Sequence, residues 1–426
     1  MSETASEAEG TAARRARLMG PHLPTFYDPP LHIVRGEGVW LWDRSGRRYL
    51  DCYNNVPHVG HCHPHVVQAI AGQAAALNTH TRYLHDGILD YLDRLTATFD
   101  HGLSQTVMVC TGSEANDVAI RMAEAATGRT GLIATDNTYH GNTKAVSQLS
   151  TRRPPIGGYP GHVRLVPAPD SLHPVGGDAA AQAQAFADAV RAAIADLDAA
   201  GYGLAGFVFC PILANEGLPM LPPGFLQPAV AAVRAAGGLV VADEVQPGFG
   251  RTGRWWGHEG AGVVPDIVTL GKPMANGHPV AATVTRPEIM AAFRTSFGYF
   301  NTFGGNPVSA AAASAVLDVI AAEDLIAHAG QTGAYALECL RALDHPLIAE
   351  ARGTGLFLGL ALERDGTPAT DAAAALVEAM KERGVLIGRI GRAGNVLKLR
   401  PPMPISRSQI DMAVGTLEQA LAELPE

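Results

Sequence analysis

The chain has 426 residues, 47% of them hydrophobic and 17% charged, and its formal net charge is −9 at pH 7. This composition is typical of a globular protein with two or three domains and excludes fibrous and disordered classes. The negative charge and the lack of a basic run argue against a nucleic-acid partner, and no apolar run approaches the roughly 18 residues that span a membrane.

The N-terminal part of the sequence predicts a tail followed by a hairpin. Residues 1–20 are polar and lack the apolar centre of a signal peptide, so we expect a disordered tail and a cytoplasmic protein. A β-hairpin is expected over 39–52, with its turn at 43–46. The five cysteines form no CxxC pair, which predicts reduced thiols rather than a disulfide framework.

A histidine-rich stretch follows the hairpin and leads into a predicted helix over 65–77. The potential metal ligands in this stretch are His58, His61, Cys62, His63 and His65. Three of them are consecutive, and no second cluster supplies further ligands at a structural-zinc spacing. The sequence therefore predicts no metal site, and Pro64 is expected to begin the helix.

Two later segments carry side chains that favour anion binding. Arg82 and His85 lie in a loop before a predicted helix over 87–99, and a surface ion pair with Asp86 is the alternative. Residues 111–116 turn directly from a strand into a helix, with Gly112 and Ser113 at the junction. Free N–H groups at a helix start attract anions, so this turn predicts a phosphate cradle. A plain N-cap is the alternative there.

Strands alternate with helices through the middle of the chain. Strands are predicted over 131–136, 206–210, 238–242, 267–270 and 280–284, and helices over 178–200, 224–236 and 287–293. This alternation predicts a mainly parallel sheet covered on both faces. Helices over 308–322, 323–343, 371–383 and 407–424, with strands near 355–362 and 396–400, predict a smaller α+β domain.

Two strand ends carry the residues that indicate a cofactor. Lys272 follows strand 267–270 and Asp243 follows strand 238–242, at the edge where open α/β sheets place their ligands. The chain has only four lysines against 28 arginines, and lysine can lose its proton and attack a carbonyl. A loop at 139–141 adds an aromatic side chain, Tyr139, close to a glycine. Together with the phosphate cradle, these residues are the groups expected in a site that binds pyridoxal phosphate. Lysine would form the Schiff base, and aspartate would keep the pyridine nitrogen protonated.

The sequence resembles the class-III aminotransferases, which are fold-type-I pyridoxal-phosphate enzymes, from about residue 30 to 403. The motifs that carry the resemblance are TGSEAN at 111–116, YHG at 139–141, VADEVQPGFGRTG at 241–253, TLGKPMANGHP at 269–279 and NTFGGNP at 301–307. The resemblance implies an α/β fold with a mainly parallel, seven-stranded-type sheet. It places a large cofactor domain at 76–310 and a smaller C-terminal α+β domain at 311–426, and the N-terminal segment at 21–75 is expected to be part of the smaller domain.

The resemblance also implies roles for individual residues. They are Lys272 as the Schiff-base lysine, Asp243 on the pyridine nitrogen, Gln246 near the ring hydroxyl, Tyr139 stacked on the ring with His140 beside it, and Gly112 and Ser113 on the phosphate. Thr302 would reach the phosphate in a neighbouring subunit. A homodimer with shared active sites, acting on a small amine, is therefore expected.

A narrower resemblance is to the ethanolamine-phosphate and phosphohydroxylysine phospho-lyases. It rests on CYNNVPHVGHCHP at 52–64, NTHTRYLHD at 78–86, GYFNTFGGNPVS at 298–309 and LKLRPPM at 397–403. In such an enzyme phosphate leaves from the carbon next to the amine-bearing carbon, and no keto acid is needed. Arg82, with His85 nearby, is then the candidate for the substrate phosphate because a guanidinium suits that geometry.

One departure from the family pattern keeps a second activity open. Cys210 stands where the family usually has an acidic residue, and the loop that follows is one residue longer than in some relatives. Glu216 could pair with Arg400, as in aminotransferases that admit both an amine and a dicarboxylate. The lead hypothesis is therefore a phospho-lyase on a substrate such as phosphoethanolamine. The alternative is an omega-aminotransferase that uses pyruvate or 2-oxoglutarate.

Overall fold

The structure, a computed structural model, describes residues 3–424 and their side chains from residue 10 onward. In chain order, the strands are β1 (Ile33–Glu37), β2 (Trp40–Asp43), β3 (Arg48–Asp51), β4 (Gln105–Val109), β5 (Gly131–Thr135), β6 (Val163–Val166), β7 (Leu204–Phe209), β8 (Leu239–Asp243), β9 (Ile267–Leu270), β10 (Ala281–Thr285), β11 (Ile348–Thr354), β12 (Phe357–Arg364), β13 (Thr367–Pro368), β14 (Val385–Leu386), β15 (Gly388–Ile390) and β16 (Val396–Leu399).

The α-helices are α1 (Glu3–Met19), α2 (Pro64–Ala76), α3 (Asp86–Thr96), α4 (Gly112–Thr127), α5 (Lys144–Ser147), α6 (Ala179–Ala199), α7 (Gln227–Ala235), α8 (Gly257–Ala261), α9 (Pro287–Ser296), α10 (Pro307–Ala322), α11 (Leu325–Arg341), α12 (Thr370–Glu382) and α13 (Arg407–Ala422). A single-turn 3-10 helix spans Lys272–Ala275. None of the helices in the described part of the chain is long and apolar enough to cross a bilayer.

A seven-stranded sheet forms the centre of the fold. Its strand order is β4-β10-β9-β8-β7-β5-β6, and only β10 runs antiparallel to its neighbours. The predicted mainly parallel sheet is therefore confirmed. Because β4 and β9 are both antiparallel to β10, they run in the same direction as each other and as the four remaining strands.

The sheet is buried on both faces. Along β7, Val208 packs into the apolar cluster that includes α4 and α9, whereas Phe207 and Phe209 pack into the cluster that includes α6 and α7. Successive strand residues point to opposite faces, so a strand covered on both sides needs apolar residues at every position. This explains why β7 reads as an unbroken apolar run in the sequence.

Two smaller sheets accompany the large one. The first, β1-β2-β3-β14, joins the N-terminal hairpin to the C-terminal part of the chain, because β3 pairs in parallel with β14. The second contains β11, β12, β16 and β15, with β13 paired to β12. The segment that ends in Arg400 leaves this second sheet and hydrogen-bonds back to the N-terminal part, through Arg400 N–H and the carbonyl of Cys52 (2.6 Å).

The structure differs from the sequence prediction in several places. Residues 3–19 form α1, where a disordered tail was expected; alanine, glutamate and arginine are strong helix formers. Residues 1 and 2 lie outside the described part. The elements that were not predicted are β1, β6, β11, β13, β14, β15, α5 and α8. Strand β6 is four residues long within a Pro- and Gly-rich segment, β11 carries mostly polar or small residues, and the other elements have at most five residues.

Candidate active site

Six strands of the large sheet run in the same direction, and the ends of five of them, at one edge of the sheet, carry the candidate residues. Asp243 is the last residue of β8 and pairs with Thr269 on β9, and Lys272 lies three residues further along the chain. The turns after β4, β5 and β7 reach the same edge. Residues far apart in sequence are thus brought together by the sheet's topology.

One cavity at this edge collects most of the predicted cofactor residues. It is lined by Gly112, Ser113, Tyr139, His140, Gly141, Cys210, Asp243, Val245, Gln246 and Lys272. Of the eight residues predicted to contact the cofactor, only Thr302 is outside this lining, because it lies in an exposed loop.

Lys272 places an amine in this cavity. It follows Gly271 directly after β9 and has a positive φ of 28°, an unusual backbone conformation for a non-glycine residue. Burial, and then the positive charge of Arg400, lower the pKa of the Lys272 amine. A larger fraction of this amine is therefore neutral and nucleophilic at neutral pH than for an exposed lysine.

Asp243 is a buried carboxylate with a fixed orientation. Its Oδ2 lies 2.7 Å from His140 Nδ1 and accepts a hydrogen bond from Asn116 Nδ2 at 3.0 Å. Its Oδ1 accepts the backbone N–H of Val245 at 3.0 Å. A buried carboxylate needs such partners, because leaving it without hydrogen bonds would be costly. The partners also hold the side chain towards the cavity.

Asn116 organises this part of the site, and sequence reasoning did not assign it a role. Besides Asp243, its Nδ2 donates to the carbonyl of His140 at 2.8 Å, and its Oδ1 accepts from Thr269 Oγ1 at 2.9 Å. Asn116 therefore links α4, the loop at 139–141 and β9. Its position in the TGSEAN segment was the available signal, since a buried asparagine near a helix start must satisfy its amide.

The adjoining aspartate and glutamate of the motif at 241–253 have different environments. Glu244 is fully buried, and its carboxylate accepts the N–H groups of Gly257 and His258, both at 2.8 Å. His258 Nδ1 lies 2.8 Å from the same carboxylate. Glu244 thus fastens the start of α8, while Asp243 faces the cavity.

In the turn from β4 into α4, different residues cap the helix and line the cavity. Thr111 is the N-cap: its Oγ1 accepts the N–H of Glu114 at 3.2 Å, and the Glu114 carboxylate accepts the N–H of Thr111 at 3.0 Å. Ser113 is free of this cap, and its Oγ accepts the N–H of Asn142 at 3.0 Å. Gly112 and Ser113 therefore contribute first-turn N–H groups at the cavity, where helices bind anions.

Glycines bring these segments close together. A Cβ on Gly112 would lie 3.0 Å from Val245 Cγ2, and one on Gly141 would lie 2.6 Å from Ser113 Oγ. Gly141 also has a φ of 146°. A side chain at Gly141 would therefore push the aromatic loop away from the start of α4.

Tyr139 and Gln246 both line the cavity. The Tyr139 hydroxyl donates to Asn142 Oδ1 at 2.9 Å, and its ring is partly exposed. Gln246 Oε1 accepts a hydrogen bond from Arg400 Nη1, which connects the C-terminal segment to the cavity. Arg400 is buried, and burial lowers its pKa to about 10.

The expected pairing of Glu216 with Arg400 is wrong for this structure. Glu216 Oε1 accepts from Thr135 Oγ1 at 2.6 Å, and Oε2 accepts the N–H of Asn215 at 3.0 Å. Burial raises the pKa of Glu216. The reason for the difference is position: Thr135 ends β5 and Gln246 follows β8, and these strands lie on opposite sides of β7.

Cys210 lines the cavity where the family pattern has an acidic residue. It is buried, and burial, together with the negative charge of Glu216, raises the pKa of its thiol well above the usual value. The thiol is therefore neutral at physiological pH. The cavity wall carries less negative charge than a carboxylate at this position would give it.

Arg82 and His85 do not reach the Lys272 cavity of their own chain. The Arg82 guanidinium lies 4.0 Å from the ring centroid of Phe300, and His85 lines a groove with residues from the same loop. His85 Nδ1 is buried without a hydrogen-bond partner. Both side chains thus lie beside the exposed loop that carries Thr302, and they form one surface with this loop.

The four histidines of the histidine-rich stretch each contact a different partner. His58 Nε2 lies 2.6 Å from the carbonyl of Phe249, and His61 Nε2 lies 2.8 Å from Asp51. His63 pairs with Glu323 at 3.2 Å, and His65 pairs with Asp318 at 2.8 Å. Within residues 3–424, no group of three or more histidine, cysteine, aspartate or glutamate residues could hold a metal ion.

The cavity fits pyridoxal phosphate. An amine of lowered pKa, a buried carboxylate oriented by three donors, an aromatic side chain and the start of a 16-residue helix face one space. These are the groups that would hold an aldehyde, a ring nitrogen, a ring face and a phosphate.

Comparisons with known proteins agree with this site. The class-III aminotransferase family model matches residues 25–421. The chain is 41% identical to the alanine–glyoxylate aminotransferase 2-like protein of Drosophila melanogaster, covering 96% of this chain and 86% of that protein. It is 36% identical to ethanolamine-phosphate phospho-lyase homolog 1 of Caenorhabditis elegans, with 96% and 92% covered.

A solved structure is also similar over its whole length. It is a phospholyase from Arthrobacter in complex with phosphoethanolamine, 45% identical, with a TM-score of 0.95 and with 97% of this chain and 100% of that chain covered. Fold, cavity and family match therefore agree. The chain belongs to the class-III aminotransferase family and is a pyridoxal-phosphate enzyme.

Proposed function

We propose that this enzyme is a phospho-lyase that eliminates phosphate from a small phosphorylated amino alcohol such as phosphoethanolamine. The similarity to the Arthrobacter phospholyase and to the C. elegans phospho-lyase homolog supports this activity. The main structural support is the guanidinium of Arg400, which does not pair with Glu216. The site therefore presents a cation that can bind an anionic group of the substrate.

The side chains of the cavity have distinct tasks in this proposal. When bound, pyridoxal phosphate supplies an aldehyde and a ring that accepts electrons from the substrate's amine-bearing carbon. Lys272 Nζ would hold the aldehyde until the substrate's amine replaces it; as a free amine of lowered pKa it would then take the proton from that carbon. Asp243 would hold a negative charge towards the ring nitrogen. Arg400 would orient the phosphate while its bond to the adjacent carbon breaks, with the electron pair that the removed proton leaves behind forming the new carbon–carbon double bond.

A second candidate is an omega-aminotransferase. The 41%-identical Drosophila relative has an aminotransferase name, which favours this alternative. Transfer to pyruvate or 2-oxoglutarate would require Arg400 to be covered by Glu216 when an amine binds and uncovered for the keto acid. The observed bonds of Glu216 to Thr135 and to the N–H of Asn215 give no sign of that exchange.

One assay separates the two activities. Purified enzyme loaded with pyridoxal phosphate is incubated with phosphoethanolamine without keto acid, and phosphate, acetaldehyde and ammonia are measured. We expect all three in equal amounts. Alanine or glutamate formed only after addition of pyruvate or 2-oxoglutarate, with no phosphate released in its absence, would overturn the phospho-lyase proposal.

We also propose that the enzyme is a homodimer in which each chain completes its neighbour's site. The loops at 78–86 and 298–306 lie side by side and expose large apolar side chains, among them Leu84 (98% exposed) and Phe303 (71% exposed). Such a patch is typical of an interface. Arg82 and Thr302, which lie outside their own Lys272 cavity, would then face the partner's cavity. A cytoplasmic location stays a prediction, testable by cell fractionation.

A further inference from the structure

Lys398 is a second buried lysine in this region, and it has no acidic partner. It is 6% exposed and lies on β16, two residues before Arg400. Residues two apart on an extended chain point to the same side. Within residues 3–424, no ion pair or hydrogen bond joins Lys398 Nζ to a carboxylate. Its close contact is the ring of Tyr53, whose centroid lies 4.8 Å from the nitrogen.

The surroundings of Lys398 are shaped to hold this ammonium group. The neighbouring strands place Gly359 and Gly388 opposite Lys398. A Cβ on Gly388 would lie 2.4 Å from Tyr53 Cε2 and 3.7 Å from Lys398 Cε. Glycine at this position therefore gives the Tyr53 ring room to lie beneath the lysine.

Arg400 is a second cation at the same place without an acidic partner. Its guanidinium lies 5.8 Å from the Tyr53 centroid and donates to Gln246 and, at 3.3 Å, to the carbonyl of Tyr53. Its Nε is buried without a partner. Both bonds that the guanidinium makes go to neutral oxygens, so no carboxylate is hydrogen-bonded to this buried cation.

Asp51 acts on Arg400 through its charge but forms no hydrogen bond with either cation. Asp51 is buried, and its Oδ1 accepts the N–H groups of Tyr53 and Asn54 at 3.0 and 2.9 Å. Its Oδ2 lies 2.8 Å from His61 Nε2. Asp51 is thus fully occupied within the N-terminal segment.

The electrostatics of Lys398 agree with this geometry. Burial, followed by the positive charges of Arg400, Lys272 and Arg152, lowers the pKa of the Lys398 amine well below its usual value. Arg152 lies on the exposed loop after α5. Several cations therefore act on one another beside the Lys272 cavity. Buried cations without acidic partners are costly for the fold, so such a cluster is expected to bind an anion.

We propose that Lys398 and Arg400 form the subsite that binds the phosphate group of the substrate, with the Tyr53 ring as its floor. This inference rests on the proposed function and sharpens it. It assigns the phosphate to two cations of the same chain as Lys272, rather than to Arg82. Gln246, which bonds to Arg400 and lines the cavity, connects the subsite to the cofactor site.

The test compares Lys398→Met and Lys398→Arg with wild-type enzyme loaded with cofactor. For Lys398→Met we expect kcat/KM for phosphoethanolamine to fall ~10- to 100-fold, mainly through KM, because a charge-assisted hydrogen bond is lost. Inhibition by inorganic phosphate should weaken by a similar factor. The Lys398→Arg enzyme should recover part of both. The change in cofactor absorbance on adding ethanolamine, which lacks the phosphate, should stay within twofold of wild type.

A control variant and a measurement of thermal stability complete the test. Arg407→Met is the control, since Arg407 lies over the ring of Tyr335 (5.0 Å) on the exposed start of α13. It should behave as wild type. The thermal midpoint of Lys398→Met should be equal to or above that of wild type, because a buried uncompensated charge is removed. A lower midpoint with equal losses for phosphoethanolamine and ethanolamine would overturn the subsite.

Failure of the proposed function gives a different result. In one case, wild-type enzyme releases no phosphate from phosphoethanolamine, but inorganic phosphate inhibits amine binding and Lys398→Met relieves that inhibition. This result would support the subsite and contradict the phospho-lyase activity. In the other case, wild-type enzyme releases phosphate, and Lys398→Met changes neither KM nor inhibition by phosphate. This result would support the phospho-lyase activity and contradict the subsite.

Discussion

Asp243 illustrates how single residues of this site depend on each other. Its carboxylate is held by His140, by Asn116 and by a backbone N–H, and these partners come from different elements. In the proposed mechanism the charge of Asp243 would act on the ring nitrogen, whereas the amide of Asn116 would act only through the orientation of that carboxylate. The two residues should therefore differ in how much activity they control.

This difference is testable by substitution. Asp243→Asn should lower kcat for phosphoethanolamine by several orders of magnitude, because the negative charge facing the ring nitrogen is lost. Asn116→Ala should cost about tenfold, as expected for loss of one hydrogen bond to a charged group. Cofactor absorbance measured beside kcat shows whether each variant still binds pyridoxal phosphate. Equal losses in the two variants, with cofactor retained, would contradict the assigned roles.

At the residue scale, the sequence predicted which residues line the cavity better than it predicted their contacts. Lys272 and Asp243 could be placed together because strand ends in an open sheet gather at one edge. The contact of Asn116 with Asp243 and that of Lys398 with the Tyr53 ring were not predicted, since sequence spacing does not show which side chains meet in the folded chain. The pairing of Glu216 with Arg400 was wrong for the same reason: the loop after β7 turns Glu216 towards β5.

Among the elements, the N-terminal segment connects the two ends of the chain at the site. The carbonyl of Cys52 accepts the N–H of Arg400, and that of His58 accepts the N–H of Met403 at 2.8 Å. His58 Nδ1 accepts from Arg251 Nη2 at 3.1 Å, so its Nε2 carries the proton and donates to the carbonyl of Phe249. This segment therefore helps to hold Arg400 in place.

His58 should give this connection a measurable pH dependence. Burial, and then the charge of Arg251, lower the pKa of His58 from 6.5 to about 3. Between these values the unfolded chain binds more protons than the folded chain. The contribution of His58 to folded-state stability is therefore present above pH 6.5 and is lost as the pH falls, by about 1.4 kcal/mol per pH unit.

The comparison of wild type with His58→Gln measures this contribution. Glutamine keeps a side-chain donor for Phe249 but does not titrate. Urea unfolding at pH 7 and pH 5 should show a larger loss of stability for the wild type, by about 2 kcal/mol. The same loss in both proteins would show that His58 is not the titrating group.

Long, regular elements were predictable, whereas several short ones were not. The apolar runs of β7 and β8 and the helices α4 and α13 were expected from their patterns, and the structure contains them. Strand β11 was missed because its sequence mixes charged and small residues, so its pairing with β12 decides its conformation.

For the whole molecule, the main prediction is that one active site needs two chains. Lys272, Asp243, Lys398 and Arg400 belong to one chain, whereas the surface with Arg82 and Thr302 would come from the partner. In a Lys272→Ala homodimer both sites lack the amine. In an Arg82→Ala/Thr302→Ala homodimer both sites lack the partner's surface.

Mixed dimers test this arrangement. When the Lys272→Ala chain is paired with the Arg82→Ala/Thr302→Ala chain, one of the two sites has all its residues, so activity should rise to about a quarter of wild type after random pairing. Lys272→Ala paired with Lys398→Met is the control. These two residues act in the same chain, so this mixture should gain nothing. Rescue in the control, or none in the first mixture, would contradict the shared site.

The most direct experiment identifies the lysine that holds the cofactor. Enzyme loaded with pyridoxal phosphate is reduced with borohydride, which makes the bond between amine and aldehyde permanent, and the peptides are then identified by mass. Since the chain has only four lysines, the result is unambiguous. We expect the cofactor on the peptide containing Lys272; attachment at Lys144, Lys381 or Lys398 instead would contradict the role of Lys272 as the Schiff-base lysine.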